Sequence, residues 1–266
     1  MRSTYLIIAI AAALIHSAAH LEEQELAAKV SGPSLGRAKS ASGDAASEGE
    51  LVGTVTLAGQ APRNHTINMA ADPECAKSHS GPATSEEVVV GTANALANVI
   101  IYISEGIGSQ TYDPPKQPVV VEQKGCQYRG HVVAIEAGQK LLVVNSDPTS
   151  HNIHPIPANN HEWNRSQPQG VAIEATFGRE EIAIPVKCNI HPWMKGYIAV
   201  FKHPYFAVTG KDGGFVIKGI PPGTYTITAW QEKLGTLTQK VTIAPKEEKN
   251  VEFVFKSPAS VAKLSE

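Results

Sequence analysis

One short stretch decides how the rest of the sequence is interpreted: residues 185–196 have the sequence PVKCNIHPWMKG. It places a thiol, an imidazole and a thioether at C-x2-H-x2-M spacing, on Cys188, His191 and Met194. A loop of this length can wrap all three side chains around one ion. Because soft sulfur donors combined with imidazole favour copper, we expect a copper site that draws one more histidine from elsewhere in the chain.

The additional histidine is expected in an upstream segment, residues 144–155, with the sequence VNSDPTSHNIHP. This segment begins at the end of a run of residues typical of a β-strand. The triplet His151-Asn152-Ile153 resembles the first-ligand segment of plastocyanin-like proteins, which favours His151 as the ligand, and His154 is the alternative. His161 lies nearby, and a metal-binding role for it or for His154 stays open.

These motifs make residues 116–202 resemble a cupredoxin, and the loop from Cys188 to Met194 is similar to the short ligand loop of amicyanin. The resemblance implies a Greek-key β-sandwich with one type 1 copper ion. It also implies that Asn152 joins the two ligand loops and that its backbone N–H donates to the thiolate. Four side chains are implied as the copper ligands: His151, Cys188, His191 and Met194.

The two remaining cysteines, Cys75 and Cys126, have no place in that ligand set. In an exported protein they are expected to form a disulfide that encloses about fifty residues. The alternative is a zinc site, because His79 follows Cys75 and His131 follows Cys126 at short spacing.

The composition and the N-terminal residues limit the class of protein to which the chain can belong. The 266 residues include 22 Gly and 18 Pro, a density typical of many short strands joined by turns. A net charge of -2 gives no basic surface for nucleic acid, which we exclude as a partner. Residues 1–19 have the pattern of an export signal and 20–49 that of a flexible linker. We therefore expect a periplasmic or extracellular protein without a transmembrane segment in its mature chain, an uncleaved anchor being the alternative.

The remaining segments are expected to form a second β-sandwich. Residues 206–215 and 220–227, FAVTGKDGGF and IPPGTYTI, resemble the core of carboxypeptidase regulatory-like domains, which have a transthyretin-like sandwich. The opening strands of that family are missing directly upstream, and similar sequences occur instead near Val55 and Val99. We thus expect an all-β protein in which 50–105 and 203–256 form one sandwich around the inserted copper domain. Three consecutive modules are the alternative.

The strand prediction places β-strands at 51–57, 87–90 and 97–103 in the first of these segments. In the copper domain it places them at 119–122, 131–136, 140–145, 171–177, 181–185 and 197–201, and in the last segment at 206–209, 214–218, 224–230, 236–243 and 250–255. The functional prediction is a carrier of single electrons that docks a redox protein near His191, Pro192 and Trp193, and it is not an enzyme. The alternative is a structural module that binds copper or carbohydrate, since the C-terminal segment also resembles β-sandwiches appended to polysaccharide lyases.

Overall fold

The computed structural model describes residues 47–257. The predicted export signal at 1–19 and nearly all of the predicted linker at 20–49 lie outside the described residues. Within 47–257 the chain is built from strands, together with one short helix and one 3-10 turn, which confirms the all-β fold class. No helix in this range has the length and apolar character needed to cross a membrane.

Sixteen strands and one helix, α1, make up the described chain. In chain order they are β1 (Gly49–Ala58), α1 (Pro73–Lys77), β2 (Ile100–Glu105), β3 (Val119–Gln123), β4 (Tyr128–Arg129), β5 (Val132–Glu136), β6 (Lys140–Asn145), β7 (His151–Pro155), β8 (Arg165–Gln167), β9 (Ala172–Thr176), β10 (Glu181–Lys187), β11 (Lys195–Phe201), β12 (Phe206–Val208), β13 (Gly214–Ile220), β14 (Gly223–Gln231), β15 (Gly235–Ile243) and β16 (Glu248–Lys256). The 3-10 turn spans Thr92–Asn94.

The inner sandwich comprises β3 to β11 and is cupredoxin-like. One sheet has the strand order β5-β11-β10-β7-β8 and the other β4-β3-β6-β9. The pairs β5–β11 and β3–β6 are parallel, so the chain crosses between the sheets before these strands meet. Leu141, Val143 and Ile198 are among the buried residues of the core between the sheets.

The outer sandwich combines the first two strands of the chain with the last five. β1 lies between β13, to which it is antiparallel, and β16, to which it is parallel. β2 lies between β12 and β14 in the facing sheet. Gly53 is required at the centre of β1, because a Cβ there would clash with the carbonyl oxygen of Val251. The strands near Val55 and Ile100 therefore pair with the C-terminal strands, so residues 50–105 and 203–256 share one sandwich.

Some predicted strands are wrong in this region. Residues 87–90 form only an isolated bridge between Val90 and Leu96 instead of a strand. The strand predicted at 97–103 begins at Ile100, because Asn98 adopts a left-handed conformation with φ 60° that interrupts an extended chain. Strands β4, β7 and β8 and helix α1 were not predicted.

A third core joins the two sandwiches. Ile100 of β2, Phe201 of β11 and Val132 of β5 are buried together between them. Phe201 stacks on Phe206 with ring centroids 4.7 Å apart and contacts Tyr102 at 5.0 Å. The aromatic contacts hold the inserted sandwich against the strands that flank it in sequence.

Candidate metal centre

The loop between β10 and β11 brings three of the predicted ligands together. The two strands are antiparallel neighbours that pair as far as Lys187 and Lys195, so the seven residues between them must turn tightly. The Cys188 N–H donates to the Met194 carbonyl oxygen at 3.1 Å, and the Met194 N–H donates to the His191 carbonyl oxygen at 2.9 Å. This bonding folds the sulfur and imidazole side chains toward one point.

The neighbouring strand β7 supplies the fourth predicted ligand. β7 pairs with β10 through His154 and Lys187, which places His151 beside the ligand loop. The Nδ1 atoms of His151 and His191 lie 2.9 Å apart, and His191 Nδ1 lies 3.8 Å from Cys188 Sγ. The donor atoms of these three residues all lie within 4.8 Å of one another. Their exposed fractions are 0% for His151, 1% for Cys188 and 2% for His191, and Met194 is 1% exposed.

Asp147 fixes the ring of His151. The His151 Nε2–H donates to Asp147 Oδ2 at 2.9 Å, which leaves Nδ1 directed at the cluster. The same carboxylate accepts the backbone N–H groups of Gly125 and Cys126 at 2.6 and 2.8 Å. Both of these residues are left-handed, with φ 66° and 51°, so their consecutive N–H groups point the same way. Burial works against ionisation of Asp147, but these hydrogen bonds lower its pKa overall.

The Cys188 sulfur is surrounded by donors that favour its thiolate. The backbone N–H groups of Asn152 and His191 lie 3.5 and 3.4 Å from Sγ. Burial alone raises the pKa of the Cys188 thiol, but hydrogen bonds from His151 and from these N–H groups lower it overall. Asn152 also accepts the N–H of Asn189 through its side-chain oxygen, so it contacts both ligand loops in the way the resemblance implied.

The donor set fits copper. Two imidazole nitrogens, a thiolate and a thioether form a soft site for which copper is the usual metal, and burial excludes the water that harder ions retain. His154 does not share this cluster, because its ring contacts Asn189 and Glu162, and His161 is exposed. His151 therefore occupies the position for which His154 was the alternative.

The remaining cysteines form the predicted disulfide. Cys75 and Cys126 are bonded, with a Cα–Cα distance of 5.5 Å, and the zinc alternative is wrong. The histidines of that alternative have other partners: His79 contacts the Gly125 carbonyl oxygen, and His131 contacts Glu232.

A segment that precedes the inner sandwich covers the outer edge of His191. The His191 Nε2–H donates to Asp72 Oδ2 at 3.0 Å, and Cys75 Sγ lies 3.6 Å from the same nitrogen. Asp72 is the N-cap of α1 and also accepts the Thr149 hydroxyl at 3.0 Å. The bond to His191 is the main cause that lowers the pKa of Asp72 to about 2. His191 is therefore only 2% exposed, and this segment covers the edge of its ring.

Sequence reasoning missed Asp72 and Asp147 as site residues. Asp147 precedes His151 by one helical turn's spacing but lies in a loop, so spacing alone gave no indication of the contact. Asp72 carried one usable signal, since an Asp directly before Pro73 is typical of a helix start. Its contact with His191 depends on the disulfide and on the packing of the sandwich.

Comparison with protein families finds one matching model, described as polysaccharide lyase family 4, domain II, over residues 197–251. The match begins inside β11 of the inner sandwich, continues through β12 to β15 of the outer one and ends inside β16. It concerns about a fifth of the chain and does not describe a carboxypeptidase regulatory-like domain. No curated protein matches the chain.

Three solved structures are similar to parts of this chain. The chain is 24% identical to a Cu-containing nitrite reductase from Thermus scotoductus SA-01, with 37% of this chain and 25% of that one covered and a TM-score of 0.31. It is 18% identical to an oxidised amicyanin variant, with 36% and 96% covered and a TM-score of 0.29. For a purple cupredoxin from Nitrosopumilus maritimus the identity is 27%, the covered shares are 27% and 80%, and the TM-score is 0.25. The case for a metal site rests on the donor geometry of this chain.

Proposed function

We propose that the protein is a type 1 copper protein that exchanges single electrons with a redox partner. The observation that carries the proposal is the buried cluster of His151, Cys188 and His191, whose donor atoms lie within 4.8 Å of one another beside Met194. A bound copper ion would supply one-electron chemistry by alternating between two oxidation states.

The chain's own residues hold the donors in place. Asp147 orients His151, Asp72 orients His191, and two backbone N–H groups hold the Cys188 sulfur. Partners of this kind fix the tautomer and orientation of metal ligands. Ligands that cannot move suit electron transfer, because little rearrangement accompanies the change of oxidation state.

The partner is expected to approach the ligand loop beside His191 rather than at its ring. Pro192 is exposed, and Trp193 is half-buried with its ring centroid 5.1 Å from that of His191. The Trp193 Nε1–H donates to the Cys126 carbonyl oxygen at 3.1 Å, which fixes the indole. Trp193 is therefore the aromatic side chain that connects the ligand cluster with the loop surface.

We also propose an oxidising compartment, periplasmic or extracellular, because the Cys75–Cys126 disulfide would be reduced in a bacterial cytosol. The copper proposal itself is tested by the visible spectrum of the copper-loaded full chain. Oxidised protein should show an intense thiolate-to-copper band that Cys188→Ser abolishes while leaving the far-ultraviolet circular dichroism unchanged. A variant that keeps the colour would contradict the ligand assignment.

Voltammetry separates an electron carrier from a structural copper module. The copper-loaded chain should give a reversible one-electron wave, and Met194→Leu should retain copper while shifting the midpoint potential upward, because the thioether is a weak axial ligand. A wave that is irreversible, or copper that cannot be reduced without loss, would favour a structural metal.

Carbohydrate binding by the outer sandwich is the second candidate, favoured by the match of residues 197–251 to a polysaccharide lyase domain. Affinity electrophoresis of the full chain in gels that contain acidic or neutral polysaccharides tests it. Retardation by one polysaccharide but not by the others would support this role, and equal mobility in all gels would remove it.

A further inference from the structure

A cavity of about 260 Å³ lies beside the ligand loop, and no predicted function uses it. Its wall contains Ile67 from the segment before α1, Trp193 and Met194 from the ligand loop, and Glu232 from the turn between β14 and β15. We call this space the Trp193 cavity. It exists only because the inner sandwich, the outer sandwich and the segment before α1 meet there, and its volume suits a ligand smaller than most drug molecules.

The charges around the Trp193 cavity are predominantly negative. Three carboxylates line it, on Glu86, Glu87 and Glu232, against the single ammonium of Lys195. Glu87 is neutralised by Lys233, whose Nζ lies 2.8 Å from its carboxylate. Glu86 has no ion pair within residues 47–257. A cation entering this space would therefore meet a carboxylate that no other side chain already neutralises.

The second acid, Glu232, is built into the wall. Its side chain is 5% exposed and contacts His131 Nε2, and the His131 side chain is 7% exposed. The carboxylate also interacts with the Tyr197 hydroxyl, and the remaining lone pairs of its two oxygens are the acceptor positions available for a ligand N–H. This pair distinguishes the cavity from a chance gathering of surface acids.

The opposite wall is aromatic and apolar. The Trp193 indole is fixed by its bond to the Cys126 carbonyl oxygen, and Tyr128 and Ile67 line the same cavity. Indole is the aromatic ring that attracts cations most strongly through its face. The cavity thus offers carboxylates for a charged head and an indole for an apolar body.

We propose that the Trp193 cavity binds a small organic cation, a primary amine with one compact apolar group. The ammonium lies between Glu86 and Glu232, and the apolar group lies against Trp193. The site adds a ligand to the protein beyond the proposed electron carrier, and its recognition requires no copper. A molecule bound there would contact both Met194 and the indole that packs on His191.

Isothermal titration of the full chain with benzylamine tests this proposal, with benzyl alcohol as the neutral probe and phenylacetate as the anionic one. Benzylamine should saturate one site and bind at least tenfold more tightly than benzyl alcohol, and phenylacetate should not saturate. The titration is run with and without copper. Binding is expected in both forms, so failure of the copper proposal would leave this readout intact.

Charge variants make the test specific to the cavity. Glu86→Gln and Glu232→Gln should each weaken benzylamine binding about tenfold, and Trp193→Leu should weaken the amine and the alcohol alike. Glu74→Gln is the matched control, because Glu74 is an acid of α1 that pairs with Lys77 outside the cavity, and it should bind like the wild type. Glu86→Gln needs no rearrangement of a buried pair and keeps the test valid if Glu232→Gln fails to fold. Equal affinity for the amine and the alcohol would overturn the proposal, as would unchanged binding in both Glu86→Gln and Glu232→Gln.

Discussion

The inner sandwich buries a connected set of polar side chains, whereas the core of the outer sandwich is almost entirely apolar. Asp147, His151 and Asn152 are at most 6% exposed in the inner sandwich, each with a hydrogen-bond partner. The outer core consists of residues such as Leu51, Phe253 and Phe255. Apolar burial supplies stability without direction, while a hydrogen-bonded polar interior costs desolvation and holds side chains in one orientation. The apolar core of the outer sandwich therefore serves mainly the stability of the fold, whereas the polar interior of the inner sandwich also holds the candidate site in one arrangement.

The disulfide gives the largest expected effect, because it ties α1, through Cys75, to the inner sandwich, through Cys126 between β3 and β4. A double Cys75→Ser and Cys126→Ser substitution opens a loop of 51 residues and should lower the free energy of unfolding by about 4 kcal/mol. Urea unfolding measures the loss. Hydrogen exchange should show faster opening in β3 and β6 than in β1 and β16, and equal acceleration in all four strands would contradict a local role.

The outer core is tested by Phe253→Ala. Phe253 is 1% exposed and packs against Phe215, so truncation should cost about 3 kcal/mol by thermal or urea unfolding. Val254→Ala is the matched control, because Val254 is the next residue on β16 and its side chain is 49% exposed. Its truncation should change the free energy of unfolding by less than about 0.5 kcal/mol. The copper spectrum of the folded variant should stay unchanged. An altered spectrum would mean that the two regions are not separable.

Asp147→Asn tests whether polar burial in the inner sandwich serves the metal. The amide has one acceptor oxygen, whereas three N–H groups donate to the carboxylate, so His151 loses its fixed orientation. Copper affinity should fall about 10- to 100-fold, measured by competition with a chelator. Asp113→Asn, at an exposed acid, should leave the affinity unchanged. Equal copper affinity in both variants would contradict the role of Asp147 in orienting His151.

Glu136 gives the stability of the inner sandwich a pH dependence. It is 5% exposed at the end of β5, and burial raises its pKa to about 7 from an ordinary 4.5. The folded protein thus holds a proton that the unfolded chain releases near pH 4.5. Stability should therefore decline as the pH rises from 4.5 to above 7, because the folded state loses the advantage of its bound proton over that range. Glu136→Gln should abolish this decline, and Glu252→Gln, at an exposed site, should keep it. A decline that persists in Glu136→Gln would assign it to another group.

The positions of the strands were largely predictable, because the alternation of apolar and polar residues and the turn residues between strands are local signals. β6 matches its predicted bounds at 140–145, and β16 extends the predicted strand by a few residues. The prediction of a strand at 87–90 was wrong, because apolar β-branched residues also suit a buried loop whose backbone hydrogen bonds are not those of a strand ladder. Helix α1 was missed because five residues carry too little periodicity to be recognised.

The sequence by itself determined the donor set. Cys188, His191 and Met194 lie on one short loop between adjacent strands, and a tight turn brings such neighbours together whatever the rest of the chain does. Short local motifs likewise made the first and last strands of the outer sandwich recognisable as parts of one domain.

Only the tertiary structure decided what surrounds that donor set. The cover over His191 comes from Asp72 and Cys75, more than one hundred residues away in the chain. The Trp193 cavity is lined by five separate segments. Contacts between distant segments depend on how both sandwiches pack, and no spacing in the sequence encodes that packing. For this reason the clustering of the predicted donor residues could be foreseen, while the covered histidine edge and the acidic cavity beside it could not.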